Sequence, residues 1–326
     1  MPGADPPAVR PVPPAARTGP ARRLRPMSQT PAPDAAGAET AAPYASSAAP
    51  AGPSTTPPAP ARVRTVHLQR AKDEGRRFAM LTTYDAMTAA LFDEAGVEVL
   101  LVGDSVGNTV LGHSSTLPVT LDQMILFSSA VVRGASRALV VADLPFGSYE
   151  ASPEQAVAAG VRLMKEAGVH AVKAEGDERF APHVAAMTAA GVPVMAHIGF
   201  TPQSEHVLGG YRVQGRGEGA ADRVVASARA LEQAGAFAVL MEMVPAHVAA
   251  AVEAAVQVPT VGIGAGPHTT GQVLVWQDML GLRTGRVPRF VKQYARLHDV
   301  VGEAVRAYRA DILDGSFPAP EHGFEA

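Results

Sequence analysis

The chain has 326 residues, no cysteine, and 28 Lys and Arg against 31 Asp and Glu, for a net charge of −3. The absence of cysteine excludes disulfides and thiolate metal sites, and the near balance of charge argues against a broad nucleic-acid interface. No apolar run approaches the roughly 18 residues that span a bilayer, so we expect no membrane segment.

Residues 1–62 differ in composition from the rest of the chain. They hold 16 of the 28 prolines and are otherwise mostly Ala, Ser, Thr, Gly and Arg, with neither a helical nor a strand period. Such a segment cannot bury enough apolar surface to offset its ordering entropy, so we predict a disordered extension. Its arginines are compatible with a transit peptide, and Met27 is an alternative site for the start of translation. We predict that residues 63–326 form a single domain.

Apolar runs recur along 63–326 with helical patterns between them. The runs are apolar throughout, which is typical of parallel strands covered on both faces. Strands are predicted at 78–82, 97–103, 138–143, 171–175, 193–197, 237–242, 259–264 and 278–282. Eight such strands in about 264 residues favour a (β/α)8 TIM barrel, for which roughly 250 residues are typical. A doubly wound sheet remains the alternative.

Helices are predicted between these strands from their end signals. One helix, 86–95, ends at Gly96, and another, 220–234, ends at Gly235. A third, 153–167, begins with Ser152 as its N-cap and a proline as its first residue. Residues 299–313 carry an apolar stripe at helical spacing, which predicts packing on the barrel or on a neighbouring subunit.

Three of the predicted strands end on an acid: Asp104, Asp143 and Glu175. The acids are 39 and 32 residues apart, about one strand–helix repeat each time. Because the carboxyl ends of barrel strands meet on one face, we expect the three side chains to converge. Three oxygen ligands without cysteine suit a hard cation such as Mg²⁺. The alternative is that one or two of them cap helices or pair with arginine.

Other polar residues are predicted on the same face. Glu242 ends the sixth strand beside apolar neighbours, which favours a general base over a fourth ligand or a helix cap. Lys173 shares a strand face with Glu175, so it either binds a substrate carboxylate or forms a structural ion pair. His197 ends the fifth strand and is predicted to contact substrate. Ser105 is predicted either to bind a carboxylate or to serve as a turn residue.

The order of the longer motifs carries a family resemblance. The segments VGDSVGNTVLGHSSTLPVT, ADLPFGSY, VKAEGD, AHIGFTPQS, GGYRVQGRG and VGIGAG closely resemble ketopantoate hydroxymethyltransferase over about residues 64–323. The resemblance implies a TIM barrel of the phosphoenolpyruvate mutase/isocitrate lyase-like group. It also implies transfer of a hydroxymethyl group from 5,10-methylenetetrahydrofolate to 3-methyl-2-oxobutanoate, giving 2-dehydropantoate in pantothenate biosynthesis.

The resemblance also assigns roles to residues of this chain. It implies one Mg²⁺ per subunit on Asp104, Asp143 and Glu175, with substrate contacts from Asp104, Ser105, Asp143, Lys173 and His197. It implies that Glu242 accepts a proton as a metal-stabilised enolate forms. A cytoplasmic homo-oligomer, often a decamer, is expected, with the keto acid and a folate as partners and no nucleic acid or membrane. The alternatives are another metal–enolate lyase or mutase of the same group and a non-catalytic scaffold barrel.

Overall fold

The computed structural model describes residues 61–324, and these form a closed barrel of parallel strands. Each strand pairs with its neighbour in sequence, and the last pairs with the first. The strands are β1 Phe78–Thr82, β2 Val99–Val102, β3 Leu139–Asp143, β4 Ala171–Glu175, β5 Val194–Gly199, β6 Ala238–Glu242, β7 Thr260–Ile263 and β8 Gly271–Leu274. The predicted (β/α)8 barrel is confirmed, and the doubly wound sheet is excluded.

Helices connect and surround the strands. They are α1 Thr65–Asp73, α2 Ala86–Glu94, α3 Val106–Thr109, α4 Leu121–Gly134, α5 Pro153–Arg162, α6 Ala181–Ala189, α7 Glu205–Leu208, α8 Ala220–Gln233, α9 Ala246–Ala255, α10 Trp276–Met279 and α11 Leu297–Asp314. The predicted N-cap of α5 is confirmed, since the Ser152 hydroxyl accepts the Gln155 N–H. A π-helical turn, Leu163–Ala167, continues α5 to the predicted glycine stop at Gly168.

The predicted position of the eighth strand is wrong. Residues 278–282 begin inside α10, and β8 lies earlier in the chain. The strand is four residues long and opens with Gly271 and the exposed Gln272, so it lacks the apolar run that marks the other strands. A side chain at position 271 would come within 2.5 Å of the Phe78 ring, which explains the glycine.

The buried apolar residues form two layers separated by the strands. The outer cluster lies between the strands and the surrounding helices, and the inner cluster fills the barrel with residues such as Met80, Val141 and Leu240. Leu68 and Ala71 of α1 belong to the inner cluster, so α1 closes the barrel at the amino ends of the strands. The opposite end, at the carboxyl ends, is left for polar side chains.

Two further predictions concern the ends of the chain. Residues 1–60 lie outside the described residues, so the disordered extension and the boundary at 62/63 stay predictions. At the other end α11 is confirmed as a helix, and no residue of it is buried. Within residues 61–324, no helix combines the length and the apolar character needed to cross a bilayer.

Candidate active site

Alternate residues along the strands lead from the barrel core to its open end. Leu139 and Val141 of β3 lie in the inner cluster, and Asp143 is the next residue on the same face. In the same way Ala171 of β4 leads to Lys173 and Glu175. The strand periodicity therefore places these polar side chains above an apolar core, as expected for a barrel active site.

All the predicted site residues line one cavity of about 410 Å³ at this end of the barrel. They are Asp104, Ser105, Asp143, Lys173, Glu175, His197 and Glu242. A larger cavity of about 540 Å³ lies around the α6 and α8 helices and contains none of these residues.

The three acids are buried, and each has one oxygen held by the protein. Asp143 Oδ2 accepts the backbone N–H of Asp104 at 3.0 Å. Asp104 Oδ2 accepts Nε2 of Gln203 at 2.9 Å, and Glu175 Oε2 accepts the backbone N–H of Gln203 at 3.0 Å. The other oxygen of Glu175, Oε1, is buried without a hydrogen bond, and the other oxygen of Asp143, Oδ1, has only the ammonium of Lys173, 3.0 Å away. The cluster thus has fewer donors than its buried oxygens require.

The electrostatics of the cluster follow from burial and like charge. Burial is the main cause that raises the pKa of Asp104 to about 8, and the charges of Asp143 and Glu175 add to it. Burial also raises the pKa of Glu175 to about 8, against the lowering effect of Lys173. Without a further cation, the site therefore favours protonation of its carboxyl groups near neutral pH.

Lys173 supplies one positive charge inside the cluster. Its Nζ lies 3.0 Å from Asp143 Oδ1, and the two residues are paired in register on adjacent strands. Burial lowers the pKa of Lys173, but the charges of the three acids outweigh burial and leave the pKa raised. Lys173 therefore stays an ammonium and balances one of the three acids.

His197 connects Lys173 to Glu242. Its Nδ1 lies 3.2 Å from Nζ of Lys173, and its Nε2 lies 3.4 Å from Oε2 of Glu242. Burial and the charge of Lys173 lower the pKa of His197, so the ring is neutral at pH 7. Because an ammonium only donates, Nδ1 is the acceptor and Nε2 carries the proton that faces Glu242.

The backbone around Glu242 is tightly constrained. Gly199 has φ +90°, and a Cβ there would lie 2.4 Å from the carbonyl oxygen of Glu242, which accepts the N–H of Phe200 at 2.8 Å. Met243, the residue after Glu242, has φ +47°, a left-handed conformation that costs free energy in a non-glycine residue. Such strain is concentrated at functional sites, and here it lies at the strand end that carries Glu242.

Ser105 follows Asp104 and faces the same cavity. Its hydroxyl lies 2.8 Å from the hydroxyl of the buried Tyr84. A side chain at Gly103 would come within 2.7 Å of Ser105 Oγ and would displace the hydroxyl. The hydroxyl is therefore held in place at the edge of the acid cluster.

Sequence reasoning missed Tyr84, Tyr149 and Gln203. All three are buried and bonded to predicted site residues or to their neighbours. Gln203 lies in the polar stretch 199–219, which follows β5, and that position was the one available signal. The partners of Gln203 lie between 28 and 99 residues away, so no local pattern reveals them.

The acids are gathered, but they do not form a finished ligand set. Within the described part of the chain, no group of three or more His, Asp or Glu side chains stands in an arrangement that would already hold a metal ion. The fit to a cation thus rests on chemistry: buried oxygens without donors, mutual repulsion and a single balancing lysine.

Solved structures share this barrel. Phosphonopyruvate hydrolase in complex with oxalate and Mg²⁺ superimposes with a TM-score of 0.53 at 16% identity, covering 80% of this chain and 91% of that one. The 2,3-dimethylmalate lyase, a PEP mutase/isocitrate lyase superfamily member, gives 0.51 at 17% identity, covering 79% and 92%. At such low identity the likeness shows the fold alone.

Sequence comparison is far more specific. A protein of Arthrobacter sp. (strain FB24) named 3-methyl-2-oxobutanoate hydroxymethyltransferase is 64% identical over 264 residues, which are 81% of this chain and 87% of that protein. A protein of the same name from Mycobacterium ulcerans is 59% identical over 266 residues, 81% and 88% of the two chains. The sequence model described as ketopantoate hydroxymethyltransferase matches residues 62–320. The chain belongs to the ketopantoate hydroxymethyltransferase family.

Proposed function

We propose that this enzyme transfers a hydroxymethyl group from 5,10-methylenetetrahydrofolate to 3-methyl-2-oxobutanoate and releases 2-dehydropantoate for pantothenate biosynthesis. The methylene carbon and one water together supply the hydroxymethyl group. One observation carries the proposal: a buried cluster of acids with a lysine, next to a His–Glu pair, at the open end of a barrel whose relatives carry this name. Each part of the cluster has a role in handling a keto acid.

The acid cluster suits a divalent cation. Asp104, Asp143 and Glu175 would hold one Mg²⁺, which when bound supplies a Lewis acid for the negative charge that develops on the 2-oxo group. The support in this chain is the buried Glu175 Oε1, which has no hydrogen bond, together with the raised pKa of Glu175 and a single lysine among three buried acids. A dication balances the two acids that Lys173 leaves uncompensated.

Glu242 is proposed as the base that removes the proton from C3 of the keto acid. It is the most accessible acid of the cluster, with a side chain 17% exposed against 4% for Glu175. Substrate therefore reaches Glu242 while the other acids stay shielded. The Nε2 proton of His197 faces Glu242 Oε2, which orients the carboxylate.

Lys173 and Ser105 are proposed to hold the substrate carboxylate. Lys173 remains charged, and its Nζ lies at the centre of the site between Asp143 and His197. Ser105 presents a hydroxyl whose position is set by Tyr84. Two donors that line the same cavity as the acids would orient the keto acid so that its C3 faces Glu242.

The mouth of the cavity suits an aromatic, acidic co-substrate such as a folate. Tyr211 and Phe290 line it together with Arg283 and Arg286. The segment 283–296 carries five Lys and Arg and no acid, although the chain as a whole is slightly acidic. Aromatic rings stack on a pterin or aminobenzoyl group, and guanidinium groups pair with the glutamate carboxylates.

The C-terminal helix supports assembly into a homo-oligomer. The exposed face of α11 carries Val300, Val301, Val305, Tyr308 and Ile312, each between 44% and 59% exposed. An apolar stripe of this kind is typical of a surface that another subunit covers. A decamer and a cytoplasmic location are the forms that we propose, on family resemblance.

The proposal is tested with hydrogen exchange at C3 of 3-methyl-2-oxobutanoate in deuterated water, with Mg²⁺ and without folate. We expect the wild type to exchange this proton and Glu242→Gln to lose at least about 10²-fold in rate, because the amide cannot accept the proton. Glu205→Gln, a nearby acid outside the cavity, is the matched control and keeps the wild-type rate.

Exchange that is undiminished in Glu242→Gln removes Glu242 as the base. A full assay of 2-dehydropantoate formation completes the test, since the transferase requires the one-carbon carrier. Turnover of the keto acid without any folate would instead favour a lyase or mutase activity.

A further inference from the structure

Gln203 connects the ends of three neighbouring strands. Its side-chain Nε2 donates to Asp104 Oδ2 and to the carbonyl oxygen of Leu144, both at 2.9 Å. Its backbone N–H donates to Glu175 Oε2 at 3.0 Å. Asp104 follows β2, Leu144 follows β3 and Glu175 ends β4. Gln203 itself comes from the loop after β5.

The amide orientation is fixed by a further residue. The hydroxyl of Tyr149 donates to Oε1 of Gln203 at 2.6 Å, and the same hydroxyl accepts the backbone N–H of Glu175 at 3.2 Å. Both N–H groups of the amide and its oxygen are therefore used, and the side chain is only 7% exposed. A buried amide with every group satisfied is rigid, and it holds its partners in one geometry.

The consequence concerns which oxygens of the acids face the cavity. Gln203 engages Oδ2 of Asp104 and Oε2 of Glu175, so the remaining oxygen of each carboxyl is the one left for a ligand. Glu175 Oε1 indeed has no hydrogen bond. Without Gln203, both carboxyl groups would rotate away from each other to reduce their repulsion.

We propose that Gln203 is the positioning residue of the cation site, aligning Asp104 and Glu175 before a cation binds. This inference rests on the proposed function, since it assigns to those acids the role of cation ligands. Partners that orient metal ligands from outside the coordination shell contribute about 10- to 100-fold to metal affinity. Removal of the amide should weaken cation binding by that factor.

The experiment titrates the full-length protein with Mn²⁺ at 25 °C and pH 8, by calorimetry and by the electron paramagnetic resonance signal of free Mn²⁺. We expect Gln203→Met, which keeps the length of the side chain, to raise the Mn²⁺ dissociation constant about 10- to 100-fold. Gln277→Met is the matched control: Gln277 is equally buried, at 5% exposure, but lies outside the cavity lining. It should leave the dissociation constant unchanged.

Melting temperatures in chelator separate positioning from general stability. If Gln203 has only a structural role, Gln203→Met lowers the melting temperature, as Gln277→Met does, and leaves the Mn²⁺ affinity at 25 °C unchanged. Tyr149→Phe provides a second test if Gln203→Met does not fold, because it removes one anchor of the amide and should weaken Mn²⁺ binding about 3- to 10-fold. The inference is overturned if Gln203→Met, or Tyr149→Phe where Gln203→Met does not fold, binds Mn²⁺ as tightly as the wild type. Absence of Mn²⁺ binding in the wild type itself refutes the proposed cation site instead.

Discussion

Two groups of buried acids in this barrel have opposite surroundings. Asp93, at the end of α2, accepts hydrogen bonds from the backbone N–H groups of Ser136, Arg137 and Ala138 and from the Ser136 hydroxyl, at 2.7 to 2.9 Å. Burial acts to raise its pKa, but these donors outweigh burial and lower it. At the other end of the barrel, the same burial raises the pKa of Asp104 and of Glu175.

The difference separates an acid that the fold satisfies from the acids that we propose as cation ligands. Both Asp93 and Asp143 are buried, at 6% and 3% exposure, so burial alone does not separate them. Asp93 has donors for both oxygens, whereas Asp143 Oδ1 has only the ammonium of Lys173 near it. The Asp93 carboxylate accepts four hydrogen bonds, whereas the Asp143 carboxylate has one hydrogen bond and the ion pair with Lys173.

The largest effect is expected from Asp143→Asn, which removes the charge but keeps the shape. If Asp143 is a cation ligand, we expect kcat/KM for 2-dehydropantoate formation to fall about 10³-fold. In chelator, the free energy of unfolding should change by about 1 kcal/mol or less, because the lost contact with Lys173 is offset by weaker repulsion among the acids. Steady-state kinetics and denaturant unfolding measure the two quantities. A variant that keeps wild-type turnover refutes the ligand role.

Asp93→Asn makes the same chemical change at the structural acid and should have the opposite result. An asparagine NH₂ group must face at least one of the N–H donors that Asp93 now satisfies. We expect a loss of about 3 kcal/mol in unfolding free energy, or roughly 6–12 °C in melting temperature. Turnover and Mn²⁺ affinity at 25 °C should remain those of the wild type. A loss of cation affinity here would show that the two acid groups are coupled.

The sequence revealed the acids of the mouth because each one ends a short, mainly apolar run. In a parallel strand, such a run can only continue into the core, so a terminal carboxylate stands out. Strand β8 lacked this contrast: Gly271 is required by the neighbouring Phe78 ring, and Gln272 is exposed. Local pattern therefore predicts a strand only where both faces are apolar.

The sequence could not reveal which acids receive hydrogen bonds from distant parts of the chain. Asp93 finds its donors 43 to 45 residues away, and Asp104 finds Gln203 at a separation of 99 residues. These contacts exist only after the barrel has closed, so neither periodicity nor capping signals report them. Family resemblance supplied roles for residues such as Lys173 and His197, but the geometry is what connects them to Glu242.

The smallest effect expected is a dependence of stability on pH in the metal-free protein. The pKa values of Asp104 and Glu175 are about 8 in the folded chain and lie near 4 when it is unfolded, so between these values the folded state binds more protons. Stability therefore decreases as pH rises towards 8 and levels off above it.

The pH range from 7 to 9 isolates this effect. His170, with a pKa of about 4, and His197, with a lowered pKa, act in the opposite direction below pH 6.5, and Asp93 loses its stabilisation only under acidic conditions. We expect the melting temperature in chelator to fall from pH 7 to 8, and saturating Mg²⁺ to remove this decrease, because the cation binds the deprotonated acids. Asp143→Asn should reduce the decrease, since one repelling charge is gone. An equal slope with and without Mg²⁺ would mean that these carboxyl groups do not bind the cation.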